Sequence, residues 1–354
     1  MAVVHVVGCG IIGAAVAEFL SHTDFEIHVY EQNSAPALGA TAAALGVIMP
    51  VSSGKLVGDV VTLRLESLRY YDALPMANET AGVLTLCDRP SDTKMEQRRQ
   101  QRAAQGFVLE YWDEERLRDI CPQIVANFGV YSPADRAVDG VKLAHHWVGE
   151  ATTRGVQFHW QTEIALEAVQ GWAQSDQVVL TNGLGLNHFL PVPRVQPVGG
   201  QAVRLHCPDL AIAMVVHWLT NDPIMPDLNL VPRGNGVFDL GATVEFPPYV
   251  LPQLLHPKRL LASAQRICPQ LHDARILSTW TGDRPRPLQA RSPMIGFLQP
   301  NVLVATGHYR NGILMAPITA AIIRDLIIAG HSSYPWQFLC PDFLSPQTQK
   351  FKRT

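Results

Sequence analysis

The sequence predicts an α/β fold in two parts, a mostly parallel, interrupted sheet flanked by helices and a second domain built on an antiparallel sheet. Three stretches carry that prediction. An apolar run, a glycine turn and a helical segment open the chain, alternating strand-like segments fill 201–241, and an apolar strand and long apolar helix follow at 302–329.

Val3 to Val7 reads as a buried strand, Gly8-Cys9-Gly10-Ile11-Ile12-Gly13 as a tight turn, and Ala14 to Leu20 as the helix it starts. Gly8 permits the turn, Gly10 lets the backbone approach a phosphate with no Cβ in the way, and Gly13 lets helix and strand pack closely. The unpaired N–H groups and positive dipole end of the helix suit a pyrophosphate. A second strand, Glu26 to Tyr30, ends at Glu31, an acid placed to accept hydrogen bonds from a ribose and hostile to a 2′-phosphate. The stretch therefore predicts a dinucleotide site in which NADP is the least suited occupant.

Gly39 to Pro50 is dominated by small side chains, a row that calls for something bulky against the backbone, either a helix or a ligand. Val57 to Leu74 has the spacing of an amphipathic helix, Gly82 to Cys87 that of a strand, and Ser91 to Gln105 that of a charged helix with Lys94, Glu96, Arg98, Arg99 and Arg102 on its solvated face. Tyr111 to Cys121 is expected to continue as a surface helix, Gly129 to Asp135 as strand and turn, and Val141 to Arg154 as a helix. Its adjacent His145 and His146 point to different sides and share no metal. Val156 to Trp160, Ile164 to Gln170 and Gln177 to Thr181 read as short strands that complete the parallel sheet with the first two. Pro191 to Gln201 is punctuated like a crossing between domains. The antiparallel block follows as Gln201 to Leu205, Met214 to Leu219, Leu228 to Val231 and Gly236 to Gly241. Then come a proline-rich loop from Pro247 to Pro257, a helix from Lys258 to Ile267, the strand Val302 to Gly307 and the helix Met315 to Ala329. The residues from His331 onward are expected to wrap the surface.

Composition narrows the function. With 354 residues, 47% hydrophobic and 17% charged, the chain holds about two domains and a sizeable core, and has no run of 18 uninterrupted apolar residues. The apolar N-terminus lacks a basic flank and meets the glycine turn where a signal peptide would stay apolar, so a cytoplasmic protein is expected. A net charge of −3 gives no field that favours nucleic acid or an anionic membrane, which points to small-molecule partners. Six cysteines without a Cys-x-x-Cys pair read as reduced, mostly buried thiols, with no metal site.

Two motifs break the bland pattern: Gly282-Asp283-Arg284-Pro285-Arg286-Pro287 and Gly307-His308-Tyr309-Arg310-Asn311-Gly312. Each sets arginine beside residues that stop regular structure, where a guanidinium can face a cleft and grip a carboxylate through two parallel hydrogen bonds.

Taken with Gly8 to Gly13 and Glu31, the run Thr41 to Gly46, Pro197 to Gln201, Leu230-Val231-Pro232-Arg233 and the Ala316-Pro317 pair, these motifs resemble the D-amino-acid-oxidase superfamily of FAD-dependent oxidoreductases, in its glycine oxidase branch with the thiamine-pathway enzymes. The resemblance runs the full length of the chain. It implies a discontinuous FAD-binding domain over 1–75, 136–195 and 285–354 and a substrate-binding domain over 76–135 and 196–284. Gly8, Gly10, Ile11, Ile12, Gly13, Glu31 and Gln32 would line the adenosine and pyrophosphate end of FAD, and Ile164 the adenine. Ala40, Thr41, Leu45, Gly46 and Val47 would lie along the isoalloxazine and ribityl portion, and Gly307, His308, Tyr309, Arg310, Asn311, Gly312, Ile313 and Leu314 beside the flavin. Arg284 and Arg310 match the substrate-carboxylate residues, Arg284 foremost, and Asn229 stands where a tyrosine commonly helps hold that carboxylate. Asp283 replaces an apolar neighbour of Arg284, where it could pair with the arginine. No cysteine lies between Cys268 and Cys340, so the flavin is expected to be non-covalent.

The implied reaction is oxidative deamination of glycine or another small amine. Hydride passes from Cα to flavin N5, the imine hydrolyses to a 2-oxo acid and ammonia, and oxygen is reduced to hydrogen peroxide. A dehydrogenase feeding a quinone or other carrier, a flavin protein without turnover and a NAD-dependent dehydrogenase are the alternatives. The resemblance also implies a homo-oligomer.

Overall fold

The computed structural model describes residues 2–74, 80, 82–248, 256–288 and 293–340. The chain forms two compact units: Met1–Ala44, Gly140–Pro197 and Asp283–Thr354 make unit 1, and Leu45–Asp139 and Val198–Gly282 make unit 2. Residues 45–75, expected in the first domain, thus belong to unit 2.

Unit 1 begins with β1 (Val3–Val7), α1 (Ile11–Leu20), β2 (Glu26–Glu31) and the single turn α2 (Ala40–Ala43). Unit 2 takes up β3 (Val47–Ile48), α3 (Asp59–Asp72), β4 (Val83–Leu86), α4 (Asp92–Ala104), β5 (Glu110–Asp113), α5 (Glu114–Ile120), β6 (Phe128–Ser132) and β7 (Arg136–Ala137). Unit 1 resumes with α6 (Gly140–Thr153), β8 (Gln157–Trp160), α7 (Leu166–Trp172) and β9 (Gln177–Leu180). The long strand β10 (Val195–His206) carries the chain back to unit 2, where β11 (Val215–Asp222), β12 (Met225–Gly234), β13 (Val237–Gly241) and α8 (His256–Ile267) follow. β14 (Arg275–Pro287) leads out of it, and β15 (Met294–Gln299), β16 (Val302–Thr306) and α9 (Gly312–Ala329) complete unit 1.

The unit 1 sheet runs β15-β16-β9-β1-β2-β8, parallel except for β15, which pairs antiparallel to β16. Helix α1 is apolar apart from Glu18 because all of it but Glu18 and Phe19 is buried, packed on α6 and α9. Helix α9 is long and apolar enough to cross a membrane by composition, but 67% of it is buried, and its apolarity answers to the core of unit 1.

The unit 2 sheet runs β14-β10-β13-β12-β11-β4-β6-β5, antiparallel apart from a parallel β4–β11 pair among the registered pairs. One face buries Leu84, Val203, Val216, Leu230 and Leu240 with Trp112, Leu117 and Leu260. The alternate residues Val83, Ala202, Val215 and Val231 point to the opposite face and pack with Leu45.

Four expectations are corrected. Tyr111 to Cys121 is not one helix: Tyr111 and Trp112 lie in β5 paired to β6, Trp112 stacks on Tyr131 at 4.4 Å, and the Asp113 carboxylate caps α5 by accepting the Arg116 N–H at 3.0 Å. Ile164 to Gln170 is not a strand: it leads into α7, whose Val169 and Trp172, three residues apart, pack into the sheet with Ile164. Arg102 is not solvated but wholly buried. Arg284 does not sit where regular structure stops but inside β14, an edge strand, which tolerates Pro285 and Pro287 because its outer side needs no N–H donors. The loop expected from Pro247 to Pro257 and the tail beyond His331 lie partly outside the described residues, at 249–255 and 341–354.

Candidate active site

The glycine turn of unit 1 contains two glycines that the protein itself requires and one that it does not. Gly8 has φ +97°, and a Cβ there would lie 2.7 Å from Asn182 Cα; a Cβ on Gly13 would lie 1.9 Å from the Gly8 carbonyl oxygen. Gly10 has φ −70° and ψ −172°, open to any residue, and its Cβ would meet only Thr41 Oγ1, at 3.5 Å. The space in front of Gly10 is the cradle a Cβ would enter, at a helix start whose N-cap residue has no side chain of its own. Thr41 Oγ1 accepts the Ile11 N–H at 3.0 Å, tying α2 to that start. Glu31 is buried; Oε2 accepts the Cys9 N–H at 2.7 Å and Oε1 the backbone and side-chain N–H groups of Asn33. The acid therefore braces the turn. Its carboxylate has about four acceptor sites, enough to serve a ribose as well. Asn182 Oδ1, beside Gly8, is buried without a partner among the described residues. Ile12 is buried, while Gln32 and Ala40 are exposed and Ile164 is half-buried against the β9 side of the sheet.

The two arginine motifs meet within unit 1. The Tyr309 N–H donates to the Pro285 carbonyl at 2.9 Å, and the Arg286 guanidinium lies 5.8 Å from the Tyr309 ring centre. Gly307 at φ +73° and Tyr309 at φ +55° turn the chain between β16 and α9, placing Arg310 and Asn311 just before the helix. His308 is buried with its Nε2 3.0 Å from Thr319 Oγ1, and burial pushes its pKa down to about 3, so the ring is neutral. Ile313 and Leu314 are buried at the start of α9, and Ile313 meets Thr41 across Gly140, where a Cβ would lie 2.7 Å from Ile313 Cδ1 and 3.3 Å from Thr41 Cγ2.

In unit 2 the segment Leu45-Gly46-Val47 is fixed at its backbone. Gly46 has φ +78°, and a Cβ there would strike the Val138 carbonyl at 1.8 Å, while the Val138 N–H donates to the Gly46 carbonyl at 3.0 Å. Leu45 packs over Gly241, which pairs in register with Asn229. Asn229 is buried, and its Oδ1 lies 3.1 Å from Nδ1 of His217 on the neighbouring strand. Downstream, Asp135 accepts the N–H groups of Val51 and Ser52 at 2.9 and 2.7 Å. Arg102 donates to the carbonyls of Val51, Pro50, Ser53 and Lys55 at 2.7–3.2 Å.

Sequence reasoning missed His217 and the roles of Asp135 and Arg102. A polar residue in the apolar run Val215-Val216-His217-Trp218 marked the first; the other two serve chiefly loop backbone atoms, which leave no side-chain signal.

Known proteins share this architecture. The bifunctional protein ThiO/ThiG of Synechocystis sp. is 32% identical over 343 residues, 91% of this chain and 51% of that protein. The chain thus spans about half the length of the curated relatives it first matches. Glycine oxidase of Geobacillus kaustophilus is 24% identical over 92% of both chains, and its crystal structure superposes with a TM-score of 0.78 over 96% of this chain and 98% of that one at 20% identity. L-proline dehydrogenase from P. horikoshii superposes with a TM-score of 0.81 at 18% identity, covering 97% of each chain; these superpositions establish the fold. The profile of the DAO family, FAD dependent oxidoreductase, matches residues 4–326, and the chain belongs to that family.

Proposed function

We propose that this chain holds FAD non-covalently and oxidises glycine or another small amino acid. The observation that carries the reading is the Tyr309–Pro285 hydrogen bond, which joins the two arginine motifs in the same unit as the glycine turn. In this reading Gly8 to Gly13, Glu31 and Gln32 hold the adenosine and pyrophosphate end, and Ile164 lies near the adenine. Ala40, Thr41, Leu45 to Val47 and Gly307 to Leu314 line the flavin. When bound, FAD supplies the two-electron acceptor.

Arg284 and Arg310 hold the substrate carboxylate through charge-assisted hydrogen bonds, and Asn229 contributes an amide where relatives carry a phenol. The amine reacts in its neutral form, so no dedicated base is required of the protein. Loss of two electrons and two protons gives the imine, water converts it to a 2-oxo acid and ammonia, and the electrons pass to oxygen as hydrogen peroxide. The six cysteines are thiols, the state a reducing cytoplasm maintains. The test is the visible spectrum of the purified protein under anaerobic conditions. Bleaching of the flavin bands by glycine, sarcosine or a small D-amino acid is expected, with peroxide on admitting air; a yellow protein that none of these amines bleaches would refute the substrate assignment.

A further inference from the structure

Arg233 closes the Val-Pro-Arg run that the resemblance singled out and that neither the cofactor site nor the carboxylate site uses. Its placement starts with Pro232. Strands β12 and β13 pair as Val231↔Asp239 and Pro232↔Phe238, then shift so that Gly234 faces Val237, which leaves Arg233 as the extra residue of a bulge. Proline has no N–H to continue the ladder, so the break falls beside it, and bulges re-aim the side chain they carry. The Arg233 guanidinium donates through Nε to Asp239 Oδ2 at 2.7 Å and through Nη2 to the carbonyl of Leu45 at 2.8 Å.

The rest of the cluster holds that guanidinium still. Asp239 is 2% exposed, and Arg204, opposite it on β10, donates Nε to Oδ1 at 2.7 Å and Nη2 to Oδ2 at 3.0 Å. Arg204 lies 5.8 Å from the Trp280 ring centre. Asp239 is thus satisfied by Arg204 alone, and the Arg233–Leu45 bond is the part of the cluster that reaches outside the sheet. Leu45 is held a second time through its side chain, over Gly241.

We propose that Arg233 is a positioning residue for the cofactor: anchored on Asp239, it fixes the Leu45 carbonyl and so the backbone of Leu45 to Val47, the segment assigned above to the flavin. The inference rests on that assignment. It explains why the run ends in arginine: a planar fork with two donors in fixed geometry serves a carboxylate and a carbonyl at once, which a lysine ammonium does less rigidly.

The experiment compares wild type with Arg233→Met, Arg233→Lys and, as a control on the cluster, Arg204→Met. FAD dissociation constants are measured by flavin fluorescence, the visible spectrum of bound flavin is recorded, and apo-protein melting is followed. Arg233→Met is expected to raise the FAD Kd about tenfold or more, the effect of losing one charge-assisted hydrogen bond, and to shift the flavin bands. Arg233→Lys is expected to recover most of the affinity. Arg204→Met should lower the apo melting temperature and leave the FAD Kd within about twofold. An Arg233→Met or, if that variant does not fold, an Arg233→Ala protein with wild-type Kd and spectrum overturns the proposal. So does an Arg204→Met protein that loses FAD as strongly as Arg233→Met, because the role would then be support of the sheet. Wild-type protein that binds no FAD would refute the cofactor assignment itself and this inference with it, an outcome separable by the wild-type titration alone.

Discussion

Replacing Gly10 with alanine separates what the glycine turn does for folding from what it does for the cofactor. At Gly10 the backbone is in the extended region, and the new Cβ meets one atom, Thr41 Oγ1, at 3.5 Å, an ordinary contact. Two effects on the folded protein oppose each other: alanine narrows the unfolded ensemble and stabilises by about 0.4–1 kcal/mol, while at a helix N-cap it is worse than glycine by about 0.5–1 kcal/mol. The apo-protein should therefore change by less than about 1 kcal/mol. A pyrophosphate seated on the turn would meet that methyl directly. Overpacking of one methyl costs about 1–3 kcal/mol, which is a tenfold to hundredfold rise in the FAD Kd. Gly13→Ala is the opposite case: its Cβ would lie 1.9 Å from a backbone oxygen inside the same turn, so apo stability itself should fall by about 1–3 kcal/mol. Urea denaturation of both apo-proteins and fluorescence titration with FAD measure the four quantities. If Gly10→Ala binds FAD like wild type, or loses apo stability like Gly13→Ala, the assignment of the space before Gly10 to a phosphate is wrong.

Arg102→Met should destabilise unit 2 by about 3 kcal/mol or more in urea, because the carbonyls of Pro50, Val51, Ser53 and Lys55 lose a buried donor together. Arg284→Lys and Arg310→Lys should each lower kcat/KM for a carboxylate-bearing amine about tenfold to hundredfold, chiefly through KM, and leave an amine without a carboxylate almost unaffected; equal losses on both amines would contradict carboxylate binding. His308, held neutral with a pKa near 3 against an ordinary 6.5, favours the folded state fully above about pH 6.5 and loses that contribution as pH falls, because the unfolded chain takes up the proton first. Between pH 6.5 and 5 this amounts to about 2 kcal/mol, so a pH series of urea unfolding on wild type and His308→Asn should show a steeper fall for wild type; parallel curves would contradict a buried neutral ring.

What could be read from the sequence divides along a physical line. Glycine and proline constrain their own backbone, and apolar residues reveal their face by spacing, so the turn from Gly8 to Gly13, the strands of the parallel sheet and the helix ending at Ala329 were all legible. A polar side chain is specified by its partner, and the partner is often a backbone atom whose availability depends on how a distant loop is laid down. Arg98, Arg99 and Arg102 look alike in a charged helix; what distinguishes Arg102 is that it reaches four carbonyls of the loop from Pro50 to Lys55, where Arg98 reaches that of Ser52. Proline misled for a related reason. Pro285 suggested that structure ends near Arg284, yet a missing N–H is harmless on the open side of an edge strand, a property of the sheet order and not of the residue.

The Val-Pro-Arg run shows the two kinds of information joined. Pro232 acts locally, by withholding a donor, and the bulge it favours sets Arg233 off the β12 ladder and within reach of the Leu45 carbonyl. Arg233 acts at long range, on a residue 188 positions earlier in the chain. The proline without the arginine would leave that carbonyl without its guanidinium donor, and the arginine without the bulge would keep the ladder's own register and miss it. A run of this kind is recognisable by resemblance for the same reason that its role cannot be derived from spacing: both residues must be kept, and the atom they serve lies elsewhere. The Pro232→Ala variant follows from this, since restoring a ladder N–H without touching Arg233 should loosen FAD as Arg233→Met does if aim is what the bulge supplies, and should leave the FAD Kd unchanged if it is not.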